Sequence, residues 1–225
     1  MQEEISKHTK KIYHSMKNQN SAFGEKIKEI FIEIFIIVFA VTFSIWLHDW
    51  SEKRHQQKEV KEFLIDIKED LTNDVRIFEA SSKKLQEVSK NYKLDNNKND
   101  TTGNDVLELI ILLRLPNTGN YEGFKSSGKI GYIENKNLKK EILYYYQQLM
   151  PLTSLLENKF NDKLEKLNNE LKLEPKITKN ILNKPIYKKV ASEYFTQLNQ
   201  SISFYQIDTT YAKSIIQKIE KEIKK

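Results

Sequence analysis

Hydrophobic and polar positions divide this chain into unlike regimes. Residues 30–47 read IFIEIFIIVFAVTFSIWL, apolar on every side, with Glu33 as the one charge. A bilayer core asks for about 20 apolar residues, with a range of about 17–25. The run therefore predicts a transmembrane helix over residues 30–48, with a tail at 1–29 and a water-soluble domain at 49–225. Trp46 and Trp50 are expected as interface anchors, because indole rings favour the headgroup level. A core helix of a soluble protein would have to be buried all round to use such a sequence. A cleaved signal peptide would need a shorter leading region and a small-residue cleavage site after the run, and neither is present.

Past residue 50 the pattern changes from a band to stripes. Val60, Phe63, Leu64, Ile67, Leu71, Val75, Phe78, Leu85 and Val88 recur at spacings of three, four and seven, with no Pro or Gly between 51 and 92. That periodicity predicts one long amphipathic helix, continuous with the membrane segment. The stripe is expected to lapse at residues 81–84. Residues 93–104, with their Asn, Asp and Gly, predict a polar loop. Asn104 or Asp105 is expected to cap a short helix ended by Pro116. Four of the six glycines fall between Pro116 and Lys139, the least regular stretch expected in the domain. A second long helix is predicted from Leu138 to Leu171, kinked or briefly broken at Pro151. Pro175 and Pro185 bracket a connector before a final helix, whose Ser201–Thr210 portion is rich in β-branched residues and weaker as helix. No strand pattern of useful length occurs. The expected class is all-α: one N-terminal transmembrane helix continuing into a helical-bundle domain.

Charge and composition narrow the chemistry. The chain carries 37 Lys and Arg against 31 Asp and Glu, a net charge of +6. Only Arg54, Arg76 and Arg114 are arginines, and no basic stripe interleaved with aromatics appears, so nucleic acid is not an expected partner. Cys is absent, which excludes disulfides and thiolate metal sites. Lys7, Lys10, Lys11, Lys17, Lys26 and Lys28 precede the apolar run; Lys53, Arg54, Lys58 and Lys61 follow it. Six against four predicts a cytoplasmic N-terminus and an extracytoplasmic main domain.

Candidate sites are few. Gly123-Phe-Lys-Ser-Ser-Gly128-Lys129 fits the first seven positions of a phosphate loop. Ile130 then stands where Ser or Thr should hold magnesium, and no strand is predicted before it; a turn that needs glycine is the better reading. His48 and His55 lie seven apart near the expected membrane surface, too few ligands for a metal site. Glu69 and Asp70 read as a solvated carboxylate pair. Tyr144, Tyr145 and Tyr146 read as core packing with polar tips at the edge. No catalytic set, cofactor site or metal site is expected. Glu33 is the energetic anomaly: a carboxylate within a spanning segment either snorkels to the surface or meets a partner.

Two stretches carry a resemblance. Glu33, the apolar run and HDWSEKRHQQKEVKEFLIDIKEDL from His48 form the first; GFKSSGKIGYIENKNLKKEILYYYQQL from Gly123 forms the second. Together they resemble an uncharacterised Bacteroidota family of single-pass membrane proteins. Glu33, Trp50 and Glu52 match its membrane-segment pattern. Phe124, Ser127, Gly128, Ile133, Asn135, Leu138 and a tyrosine pair within Tyr144–Tyr146 match its second pattern. The resemblance spans about residues 30–150. The family's small residues in the membrane segment appear here as Ile32 and Ala40, which departs from glycine-mediated helix packing. The resemblance implies topology and a bacterial inner-membrane location with the main domain periplasmic; it implies no activity.

The expected function is accordingly that of a membrane-anchored helical interaction or assembly protein without catalysis. Its expected partners are the lipid bilayer and another membrane or envelope protein, or further copies of itself. The alternative is an extracytoplasmic ligand sensor acting through a partner protein.

Overall fold

The computed structural model describes residues 2–93, 108–112 and 117–224, with side chains from residue 28 onward except at 29 and 93. Six α-helices follow in chain order: α1 (Gln2–Lys93), α2 (Gly119–Ser126), α3 (Lys136–Tyr144), α4 (Met150–Glu170), α5 (Lys179–Leu182) and α6 (Pro185–Ile223). A 3₁₀ turn covers Lys129–Tyr132 and a π turn covers Tyr145–Leu149. No strand occurs among the described residues, so the all-α expectation holds. The chain divides into two compact units, residues 1–55 and 56–225.

In the first unit, residues 2–55 all belong to α1. No residue of its apolar window is buried, and one helix among the described residues is long and apolar enough to cross a membrane. The core-helix alternative is thereby removed, since such a helix would have to sit inside the protein.

The second unit is a helical bundle. The expected stripe of α1 is its wall: Val60, Phe63, Leu64, Ile67, Leu71, Phe78, Leu85 and Val88 are all buried. Burying each such side chain stabilises by about 1.5–3 kcal/mol. Residues 81–84 do not break the stripe, because Ser82 continues it as a buried polar residue. α6 runs antiparallel to this wall. Lys68 pairs with Glu220 at 2.7 Å, the Phe78 and Tyr205 rings stack at 5.3 Å, and Tyr92 stacks on Phe195 at 3.6 Å. α4 is antiparallel to α6 as well: Thr153 meets Asp208 and Glu157 meets Tyr205.

Four local expectations change. Residues 108–112 are not helical. At Leu112 the backbone is satisfied from outside: Asn161 Oδ1 accepts from the Leu112 N–H at 3.0 Å, and Asn161 Nδ2 donates to the Leu112 carbonyl at 2.7 Å. That side-chain amide replaces the i→i−4 bonds a helix would have made. The expected caps Asn104 and Asp105, and the stop at Pro116, lie outside the described residues. At Pro151 the chain neither breaks nor leaves the helix. The Met150 N–H bonds the Tyr145 carbonyl five residues back, so the turn before the proline widens to π. The extra residue brings Tyr145 and Tyr146, then Leu149 and Met150, onto the buried face. The glycine-rich stretch is more regular than expected, forming α2 and the 3₁₀ turn. Lastly, α6 runs unbroken through 201–210. There the burial of Ser201, Tyr205 and Asp208 outweighs weak propensity.

Candidate functional site

Two sets of residues stand out, one in each unit. The first is the apolar band of α1. Its side chains are exposed around the whole helix, from Phe31 (69%) and Phe35 (68%) to Trp46 (57%) and Trp50 (49%). The aromatics form a ridge: Phe35, Phe39, Phe43 and Trp46 stack successively with ring centroids 6.2, 5.8 and 5.9 Å apart. Spacings of four, four and three keep them on one face. Trp50 continues the ridge, and the Arg54 guanidinium lies 4.7 Å from its ring centroid.

At about 100° per residue, Glu33, Ala40 and Ser44 share a different face, roughly 120° from the ridge. The sides thus differ in bulk as well as in polarity. Thr42, the other polar residue of the span, donates its hydroxyl to the Val38 carbonyl at 2.7 Å and is satisfied within its own helix. Glu33 is exposed, as are His48 and His55. Among the described residues, no group of three His, Asp or Glu is placed to hold a metal ion.

The second set lies in the bundle and, Asp70 apart, was not singled out from the sequence. Four carboxylates are buried: Asp70, Asp74, Glu157 and Asp208. Each meets neutral donors from another segment. Asp70 accepts from Asn117 Nδ2 and from Asn120 Nδ2, the latter at 3.0 Å. Asp74 accepts from the Tyr145 hydroxyl at 2.9 Å. Glu157 accepts from the Tyr205 hydroxyl at 2.7 Å, and Asp208 from the Thr153 hydroxyl. Charged acceptors of this kind tie α1 to α2 and the π turn, and α4 to α6, through bonds stronger than those between neutral groups.

Asp70 was expected to be solvated and is not; its neighbour Glu69 is exposed. Burial raises the Asp70 pKa above its ordinary value of 3.8, opposed by the Asn120 and Asn117 hydrogen bonds. Burial also pushes the Tyr145 phenol far up, with Asp74 adding to the effect. Tyr146 is raised chiefly by burial too. Of the three consecutive tyrosines, then, Tyr145 and Tyr146 are core groups, while Tyr144 is 46% exposed. A signal for these acids exists in the sequence. Asp74 sits between Leu71 and Phe78 at the stripe's own spacing, and Asp208 sits likewise between Tyr205 and Ala212.

The phosphate-loop-like segment ends a helix. Gly128 adopts φ 76°, and its N–H bonds the Lys125 carbonyl at 3.0 Å. That left-handed turn closes α2 and suits glycine. Ser127 turns its hydroxyl onto the Phe124 carbonyl at 2.8 Å, and Lys129 pairs with Glu59 at 2.7 Å. The lysine that a phosphate would require is held by α1. Asn135 of the resemblance pattern caps α3, accepting from the Leu138 N–H at 3.1 Å, and donates to Glu222 at 2.7 Å.

Comparison of the chain with models of known families, with curated proteins and with solved structures gives no match.

Proposed function

We propose that this chain is a single-pass, membrane-anchored assembly protein, whose helical domain is presented on the side opposite its N-terminus and whose partner is another membrane or envelope protein, or a further copy. One observation carries the reading: residues 30–47 keep an apolar surface on every side, and none of it is buried among the described residues. Water would make that surface costly, at about 25 cal/mol per Å² of apolar area, and a bilayer removes the cost. The lysine asymmetry supports a cytoplasmic N-terminus, and the resemblance to the Bacteroidota family supports a bacterial inner membrane with a periplasmic domain. The bundle's buried carboxylates bind hydroxyls and amides of their own chain, which suits a scaffold.

Within the span, Glu33 is proposed to face the partner and the aromatic ridge to face lipid. An ionised carboxylate at depth is disfavoured by a few kcal/mol unless neutral or paired. No acidic or basic residue lies between Ile34 and Leu47, so a pairing group at depth comes from a second helix. Crosslinking in membranes tests this. Glu33→Gln should largely retain assembly, because an amide still hydrogen-bonds, whereas Glu33→Leu should weaken it. Equal assembly of wild type and Glu33→Leu would reduce Glu33 to a snorkelling surface charge. Recovery of the chain in the soluble fraction, or as an isolated monomer after crosslinking, would remove the reading as a whole.

A further inference from the structure

We infer that the outward face of α6 is a homodimer contact whose occupant is the same face of a second copy of this chain. The inference deepens the assembly reading by naming surface and partner, and it makes no use of the membrane helix.

The charge pattern is the first observation. In a chain with 30% charged residues, Asp208 is the only charge between Glu193 and Lys213. Asp208 is fully buried, so this stretch of α6 shows solvent no charge at all. Lys213, at its edge, is drawn away to Glu79 at 2.6 Å. Ser203, Gln206, Ile207, Thr210, Tyr211 and Ser214 line an open groove of about 630 Å³ along this face.

The second observation concerns desolvation. Thr196 donates its hydroxyl to the Ser192 carbonyl at 2.8 Å, Ser203 to Asn199 at 3.1 Å and Thr210 to Gln206 at 2.8 Å. These donors are satisfied inside α6. Covering the face with apolar or small side chains therefore strands none of these three donors, which lowers the penalty for drying it; Gln206, Tyr211 and Ser214, which also line the groove, would take partners across the contact.

The occupant follows from charge and spacing. A two-fold operation sets a surface against itself, so any charge on it would meet its own sign. Two chains of net charge +6 repel on average, and the α6 residues of this face add no exposed charge of their own. Ser203, Ile207, Thr210, Ser214 and Gln217 follow spacings of four, three, four and three, the period of a helix–helix seam. Ile207 supplies a central apolar residue, 49% exposed in the single chain. Tyr211 flanks it, with its ring 5.4 Å from that of exposed Tyr144. Interface centres are depleted in charge and enriched in tyrosine in the same way.

The absence of native cysteine makes the test direct. The full chain, purified in mild detergent, would carry one cysteine at a time: Ser203→Cys, Ile207→Cys, Thr210→Cys, Ser214→Cys and, as control, Lys159→Cys on exposed α4. Oxidation should give covalent dimer from at least one α6 variant at tenfold or more the control yield. Separately, light scattering should show a dimer for wild type and an at least tenfold weaker dimer for Ile207→Lys. Crosslinking at all four positions no better than the control, or a dimer indifferent to Ile207→Lys, overturns the inference. A dimer lost in Glu33→Leu but kept in Ile207→Lys would also overturn it, while leaving the membrane-assembly reading intact.

Discussion

Two stretches of α1 carry large apolar side chains to opposite fates. Residues 30–50 expose Phe35, Phe39, Phe43 and Trp46; residues 60–88 bury Leu64, Ile67, Leu71, Phe78 and Leu85 almost completely. Composition separates them in part, with 16 apolar residues of 21 in the first and 12 of 29 in the second. Arrangement separates them further: the first is apolar at every angle around the helix axis, whereas the second keeps most of its apolar residues to one stripe and gives the other faces mainly to Lys, Glu and Asp. A stripe can be covered by neighbouring helices and still leave a wet surface. A band can be covered only by an apolar solvent or by partners on all sides. The treatment of polar groups differs in parallel. Asp70 and Asp74 lie on the stripe with amide or hydroxyl partners from other segments of the chain, while Thr42, one of the polar residues inside the band, turns back on its own helix.

The sharpest way to break this comparison is to truncate one phenylalanine from each region. Phe78→Ala should cost about 3–5 kcal/mol of domain stability, because the ring is fully buried and leaves a cavity. Phe39→Ala, at 59% exposure, should change the melting of the domain by no more than about 0.5 kcal/mol. Thermal or urea unfolding followed by circular dichroism measures both. Similar losses would show that the band packs against protein.

Adding a charge reverses the sensitivity. Val38→Lys places an ammonium near the middle of the band and should disfavour insertion by about 2.5–3.5 kcal/mol, read as a shift from the carbonate-resistant membrane fraction to the soluble one. Ile65→Lys, on an exposed position of the striped region, should leave both partitioning and melting nearly unchanged. Unchanged membrane retention of Val38→Lys would argue that position 38 does not lie at depth in a bilayer.

The sequence made these two regimes legible because a period and its absence are local signals. The helical class, the buried stripe of α1, the long helix after Leu138 and the glycine turn at Gly128 all follow from residues within a turn or two of one another. What escaped was set by distant residues. The Leu112 segment reads as helix until Asn161, 49 positions later, takes its backbone bonds. Pro151 announces a kink or a brief break; that the interruption takes the form of a π turn, which places Tyr145 against Asp74, was not legible. Residues 201–210 read as weak helix, and the partners on α1 and α4 that hold them are not in that window. For the candidate site, Glu33, Trp46 and Trp50 were visible as exceptions in a run. Of the buried carboxylates, Asp70 read as surface charge and Asp74, Glu157 and Asp208 drew no reading, since their donors lie between 47 and 71 positions away.

A smaller effect sharpens the polar half of the comparison. Tyr145→Phe removes the hydroxyl bonded to Asp74 without changing the ring's packing, and should cost about 1–3 kcal/mol, the range for withdrawing a partner from a buried acceptor. Tyr144→Phe, on the exposed neighbour, should cost almost nothing. Equal effects would mean that the buried hydroxyl is no better placed than one in water.

The smallest expected effect is a pH dependence, and its sign distinguishes a buried carboxylate from a surface one. Asp70 has a folded-state pKa raised above 3.8, first by burial and opposed by its two asparagine partners. Between the unfolded and folded values the folded chain therefore binds more protons than the unfolded chain. Stability from this group is fully present below the unfolded value and is lost as pH rises through the folded one. Glu193 and Glu220, lowered by Lys163 and Lys68, act in the opposite sense: they stabilise above the ordinary glutamate value and lose that contribution as pH falls. The whole-protein profile mixes the two signs, so the informative quantity is the difference between wild type and Asp70→Asn across pH 3 to 7. Asparagine has no proton to bind. Relative to Asp70→Asn, wild type should therefore lose stability as pH rises from just below 3.8 and level off above the folded value. A difference that grows with pH instead would mean that Asn117 and Asn120 hold the ionised form more strongly than burial opposes it.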